Sequence, residues 1–151
     1  MALHFSSHDN MGPEGDVAEM LRNSANPFMF RIIAREATPE DICTAHSAAH
    51  LNWVASISAL SPHELRALSQ DLDKGGKSLY VGNHTYEAAL LAAAGVIETC
   101  KNVVVGTVKD AIAVIRPPGH HAESDEAMGF CFLNNIAIAA RVCRADVGSW
   151  R

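Results

Sequence analysis

A run of five apolar residues, Ala111-Ile-Ala-Val-Ile115, stops on Arg116-Pro-Pro-Gly119. This stop constrains the fold more than any other feature of the chain. A short continuous apolar run, preceded by the charged turn Lys109-Asp110, reads as a central strand of a parallel sheet, buried on both faces. Two prolines forbid its continuation as strand or helix, and Gly119 permits a tight or left-handed backbone. His120 and His121 are thereby set just beyond the carboxyl end of the strand, the edge at which open α/β sheets bind ligands.

The flanking sequence supplies helices for such a sheet. Phe28-Met-Phe-Arg-Ile-Ile-Ala34 reads as a short strand. Thr38 suits a cap, Pro39 the first helical position, and Glu40 and Asp41 the positive end of the helix dipole. That helix is expected to reach about Ser58 in two pieces. Ser61 and Glu64 form a capping box for a helix with Leu65, Leu68 and Leu72 on one face. Asp73-Lys-Gly-Gly-Lys77 is a turn, and Ser78-Leu-Tyr-Val81 a short extended segment. Thr85 is the expected cap of a helix from Tyr86 to Cys100, whose centre, Ala88-Ala-Leu-Leu-Ala-Ala-Ala-Gly95, is small and apolar on nearly every side. Such a helix is buried among close neighbours. A last helix is expected from Asn134 or Asn135, with Ile136, Ala139, Ala140 and Cys143 toward the core. Strands alternating with helices predict an α/β parallel sheet with helices on both faces. Residues 1–27 read as an irregular, loosely packed segment, with at most a short helix from Asp16 to Arg22.

The whole sequence has 151 residues, 48% of them hydrophobic, which suits one ordinary domain. Twelve Lys plus Arg against 17 Asp plus Glu give a net charge of −5. No basic field is available to bind nucleic acid or anionic lipid. No apolar run approaches the ~20 residues of a membrane span, and the first residues lack a signal-peptide pattern, so nucleus or cytoplasm is expected. The four cysteines, at 43, 100, 131 and 143, lack C-x-x-C spacing and read as buried thiols.

Two adjacent imidazoles are chemically versatile. Charging one ring disfavours charging its neighbour, so one can stay a neutral base near neutral pH while the other stabilises negative charge. The plainer alternative is a turn whose histidines bond backbone. The surrounding residues favour chemistry, because the stretch resembles the signature of the zinc-dependent histone deacetylases, class II and fungal-like. The resemblance is carried by Arg116-Pro-Pro-Gly-His-His-Ala-Glu123, Gly129-Phe-Cys-Phe-Leu-Asn-Asn135 and Ala137-Ile-Ala-Ala140, in order and at familiar spacing. Upstream, Arg35-Glu-Ala-Thr-Pro-Glu-Asp-Ile-Cys-Thr-Ala-His46-Ser looks like the family's early "AT-x-E-E-I-x-x-V-H-S" helix. Ser78-Leu-Tyr followed by Thr85-Tyr-Glu-Ala-Ala-Leu-Leu-Ala-Ala-Ala-Gly95 is similar to the helix before the catalytic strand. The resemblance runs from about Arg31 to Val142.

It implies part of the arginase/deacetylase-type three-layer parallel-sheet fold, truncated, in residues 28–151. It implies that His121 is the general base and acid, and that His120 stays near the attacking water and helps stabilise the oxyanion. Gly129 and Phe130 match the wall of a narrow tunnel for the acyl-lysine stem. Ser78 matches a loop serine that in some class II members accepts a hydrogen bond from the substrate backbone; a purely structural serine is the alternative. Acetylated histone tails or other acetyl-lysine proteins are the implied partners, with co-repressor proteins, and without nucleic acid or membrane.

The family's zinc is bound by an Asp-x-His pair and a second Asp that are expected beyond residue 151. Asp146 is followed by Val and Gly, and the front element "H-P-E-x-P-x-R" survives at best as Gly12-Pro-Glu-Gly15. The expectation is therefore a truncated deacetylase domain, without zinc of its own and inactive alone, because a base without a Lewis acid supplies only ~10²–10⁴-fold. A cut sheet also predicts an unpaired edge and poor solubility. A non-catalytic partial fold acting through association is the second reading, and an unrelated α/β protein with a chance His-His turn is the third. Elsewhere, His46-Ser-Ala-Ala-His50 puts two imidazoles at helical i, i+4 spacing, but lacks the Glu of H-E-x-x-H and reads as structural or surface. His63 and His84, near helix starts, are expected exposed. Glu123, Asp125 and Glu126 read as a solvated acidic loop, or as a salt-sensitive attractor of basic histone tails.

Overall fold

The computed structural model describes residues 2–5, 30–33 and 35–147 of the chain. Three parallel strands, β1 (Ala2–Phe5), β2 (Phe30–Arg31) and β3 (Ala111–Val114), form a sheet in the order β2-β1-β3. Leu3 of β1 stands between Arg31 and Ile112, and Phe5 lies opposite Val114. The middle strand thus comes from the stretch expected to be irregular. Ala-Leu-His-Phe is too short to carry a period of its own, and its hydrogen bonds come from partners distant in sequence. The helix expected over Asp16–Arg22 lies outside the described residues. β3 takes an edge position among the described strands instead of the expected centre, with Ile112 44% exposed. An apolar run reports that a strand can be covered, and does not say by which neighbours.

Five α-helices accompany this sheet among the described residues. In α1 (Pro39–Cys43), the Thr38 hydroxyl accepts from the Asp41 N–H and the Asp41 carboxylate accepts from the Thr38 N–H, both at 3.1 Å. Ser47 caps α2 (Ala48–Ser56), which runs into a 3-10 turn, Ile57–Ala59. The break between α1 and α2 matches the expected two-piece helix. The Ser61–Glu64 capping box opens α3 (Pro62–Lys74), whose Leu65, Leu68 and Leu72 rest half-buried on the core.

The spine is α4 (Thr85–Val104). Ala88, Ala89, Ala92, Ala93, Ala94 and Gly95 are all buried on it. Short side chains let β1 and β3 approach from one direction and α5 (Asn135–Val147) from another. Thr85 opens this helix differently from expectation. His84 holds the cap position without a side-chain cap bond, and the Thr85 hydroxyl instead accepts from the Gly82 N–H at 2.8 Å, bracing the loop before the helix.

On α5 the inward stripe is Ile138, Ala139, Val142 and Cys143. Ile136 is 62% exposed and Ala140 is also outward, contrary to expectation. Neighbouring stripes of this helix are both apolar; the choice is made by Asn135, which is buried and donates to the Pro117 carbonyl at 3.3 Å. Of the cysteines, 131 and 143 are buried and 100 is half-buried, where desolvation raises its thiol pKa; Cys43 is exposed on the outer face of α1, against expectation.

Arg35 links the first helices to the spine. Its guanidinium donates to Glu98 of α4 at 2.8 Å and to Asp41 of α1 at 3.0 Å, and the Ala37 N–H donates to the Leu90 carbonyl. Burial alone would push the Asp41 carboxyl up; the Thr38 N–H and the Arg35 charge outweigh it and hold it below the ordinary range. No helix among the described residues is long and apolar enough to cross a membrane.

Close packing on α4 has a testable cost. Ala93 is fully buried, and Ala93→Leu is expected to destabilise the chain by about 1–3 kcal/mol through overpacking. An unchanged midpoint in denaturant melts would contradict the tight spine.

Candidate active site

From the end of β3 the chain turns through Ile115-Arg116-Pro117-Pro118 to Gly119, which is buried against the start of α5. A Cβ on Gly119 would lie 2.5 Å from the Asn135 nitrogen and 2.6 Å from the Leu133 oxygen, so only glycine fits. The next two residues are His120 and His121. Their ring centroids are 4.2 Å apart at an interplanar angle of 49°, and both side chains are exposed. The His121 N–H donates to the Cys131 sulfur at 3.4 Å.

The His121 ring rests on Gly129. A Cβ there would come within 2.7 Å of the imidazole Cδ2, and Gly129 has φ +55°. Gly129 and Phe130 are the two turn residues between Met128 and Cys131, which exchange both backbone hydrogen bonds, at 3.1 and 2.9 Å. Phe130 also has a positive φ, 65°, which is unusual for a bulky residue. It is held there from outside. The Gly129 N–H donates to the Lys77 carbonyl at 2.8 Å and the Phe130 N–H to the Ser78 carbonyl at 3.2 Å. A Lys77–Glu126 ion pair closes the same seam.

Ser78 is therefore brought beside Phe130 through its carbonyl. It is not part of an extended strand, however. Its φ is 49°, in a left-handed turn that follows Gly75-Gly76 and serves the backbone of the Gly129-Phe130 turn. Phe130 is 55% exposed at the rim. On its other side a cavity of about 680 Å³ runs between Tyr80, His84, Pro117, Pro118 and Phe132. His120 and His121 do not line it.

Two further histidines serve this loop, and of the structural and surface roles expected for them the fold takes the structural one. His46 and His50 are each only 4% exposed and their rings stack with centroids 4.9 Å apart. His46 bonds the Ser124 carbonyl at 3.1 Å and accepts from the Asn134 N–H at 2.8 Å; His50 bonds the Phe132 carbonyl at 2.7 Å. The signal available in the sequence is two imidazoles at i, i+4 spacing, which fits a metal, a structural or a surface role and does not say what they bond. His63 and His84 are exposed as expected, and of the acidic loop Glu123 and Asp125 are exposed while Glu126 is half-buried.

The family model described as the histone deacetylase domain matches residues 14–150. The chain belongs to the histone deacetylase family. "Histone deacetylase HDA1" of Candida albicans is 43% identical over 119 residues, 79% of this chain and 14% of that protein. "Histone deacetylase clr3" of Schizosaccharomyces pombe is 42% identical over 118 residues, 78% and 17% respectively. Human "Polyamine deacetylase HDAC10" is 38% identical over 121 residues, 80% and 18%. Among solved structures, the HDA15 HD domain superposes with a TM-score of 0.77 at 26% identity, over 97% of this chain and 45% of that one. The fold is the arginase/deacetylase-type parallel-sheet fold, and the reading of the tandem histidines as a chance turn in an unrelated protein is set aside. The chain spans less than a fifth of the length of these curated relatives and under half of the solved domain.

Among the described residues no group of three or more His, Cys, Asp or Glu stands together so as to hold a metal ion. These residues do not make a metal site, and no step assigned to this chain runs through one.

The seating of His121 on Gly129 predicts a specific failure. Gly129→Ala forces the imidazole aside and strains a positive φ, and a loss of about 1–3 kcal/mol in stability is expected. The nuclear Overhauser contacts between the His120 and His121 rings should weaken in the same variant; contacts of unchanged strength would contradict this packing.

Proposed function

We propose that this chain supplies the tandem-histidine portion of a lysine deacetylase active site, in a hydrolase that cleaves acetyl-lysine amides of histone tails or other proteins. The observation that carries the reading is the seating of His120 and His121 at the carboxyl end of β3, with His121 on Gly129 and Phe130 joined to Ser78 at the rim. The family match and the curated relatives named as histone and polyamine deacetylases support it.

In this reading His121 accepts a proton from the attacking water and returns it to the departing lysine amine as the C–N bond breaks. His120, whose ring stands beside it, donates a hydrogen bond to the oxyanion. The Phe130 ring packs on the methylenes of the acyl-lysine, and Ser78 accepts a hydrogen bond from the substrate backbone. Residues 28–151 are the N-terminal portion of the catalytic domain, and the Asp-x-His pair and second Asp that bind zinc in the family come from segments outside this chain. The protein acts in the nucleus, the cytoplasm or both, in chromatin regulation and transcriptional repression, with co-repressor proteins as partners.

The test uses an acetyl-lysine peptide and released acetate as the readout. The 151-residue chain is expected to be inactive. A chain extended through the genomic reading frame past Val142, carrying the family's zinc ligands, is expected to deacetylate, and His121→Ala should cut its turnover by about 10²–10⁴-fold. Activity of the short chain, or an extended chain indifferent to His121→Ala, would overturn the proposal.

A further inference from the structure

The loop from Gly119 to Asn134 holds itself by few backbone bonds, the Met128–Cys131 pair and those from Ala122 to Gly119 and from Glu123 to Glu126, and its remaining fastenings come from outside. Three of its backbone groups go to the buried histidine pair: the Ser124 and Phe132 carbonyls and the Asn134 N–H. The bonding pattern dictates the protonation of His46. Its Nε2 accepts from a backbone N–H and must be bare, while its Nδ1 faces a carbonyl and must carry the proton. The Ser124 carbonyl also accepts from the Ser47 N–H at 3.2 Å, so this point of the loop is held by two adjacent donors. Asn134 in turn caps α5, its side-chain oxygen accepting from the Ala137 N–H and its amide donating to the Ala122 carbonyl, next to His121.

We propose that His46, with His50 stacked against it, is the positioning residue of the loop that carries His120 and His121, and that it holds this loop only as the neutral ring protonated on Nδ1. Its bearing on catalysis rests on the deacetylase reading above; the fastening of the loop does not. A second proton on Nε2 would point at the Asn134 N–H, donor against donor, and release both the loop and the first turn of α5.

Burial and the groups around His46 together fix the direction. His50 faces it from α2 and Asp125 from the loop, where Glu123 contributes through its backbone and not its carboxylate. On α1, Asp41 is already paired with Arg35, and Arg141 of α5 donates to the Thr44 carbonyl. Desolvation lowers the His46 pKa below its ordinary value and the His50 ring adds to this, outweighing the bonds to the loop carbonyls and the attraction of exposed Asp125. A folded-state value below the unfolded one means that the stabilisation is complete above the unfolded value of about 6.5 and is lost as pH falls through the lower, folded one.

The experiment records imidazole ¹⁵N spectra and amide hydrogen exchange of the full chain from about pH 8 to about pH 5. In the wild type, His46 is expected as the Nδ1–H tautomer, and exchange protection of the Asn134 amide should fall about tenfold more than that of Ala93 in α4 as the ring titrates. His46→Gln keeps an acceptor for the Asn134 N–H, and should keep its protection while abolishing the pH step. His46→Phe should leave Asn134 about tenfold less protected at every pH. A wild-type His46 protonated on Nε2 at neutral pH, or Asn134 protection that ignores the titration, would overturn the proposal. Should His46→Phe fail to fold, the wild-type titration decides. Failure of an extended chain to deacetylate would count against the function proposed above and leave these readouts untouched.

Discussion

A single imidazole, His46, accepts one backbone bond and donates another across a loop that has almost no ladder of its own. Backbone N–H and C=O groups that lie in irregular chain must find partners or remain a steady cost. Between Arg116 and Asn134 those partners come from three sides. Asn135 reaches the Pro117 carbonyl from below, His46 and His50 take the Ser124 and Phe132 carbonyls and the Asn134 N–H from one flank, and the Lys77 and Ser78 carbonyls take Gly129 and Phe130 at the rim. Remove the flank and the other two contacts have to hold a loop of some length by its ends.

This arrangement explains why the exposed residues of the site can be ordered without being buried. His120 and His121 face outward, and Phe130 stands 55% exposed in a left-handed conformation that a phenylalanine does not choose alone. The strain of about 1–3 kcal/mol at such a residue persists only where its surroundings over-determine it. Here they do so with backbone atoms, which leaves the side chains turned toward solvent. Loops placed on rigid elements in this way are where proteins put chemistry, and a preset geometry removes the entropy of orienting the groups during reaction.

The rigid element is α4. Its small residues admit the sheet on one side and α5 on another, and Arg35 ties the α1–α2 unit to it through Glu98. The two units that hold the loop, α1–α2 through its histidines and α5 through Asn134 and Asn135, are thus referenced to one helix. The Lys77–Glu126 pair contributes little to stability at its exposure, and serves mainly to close the seam.

The sequence by itself determined what is written in contiguous residues. The capping boxes at Thr38 and Ser61, the small-residue helix, the strand that ends on two prolines and the tandem histidines after it are all local patterns, and local patterns survive translation into structure. Residues spread over much of the chain also carried the family. Tertiary structure alone decided the rest. It placed Ala2–Phe5 in the middle of the sheet and β3 at its edge among the described strands, because parallel pairing joins segments far apart in the chain. It turned Ile138 inward and Ile136 outward, where buried Asn135 bonds the Pro117 carbonyl. It set Ser78 in a left-handed turn and made loop fasteners of His46 and His50. A hydrogen bond to an irregular backbone leaves no periodicity for a sequence to display; it exists only once the fold has brought the two ends together.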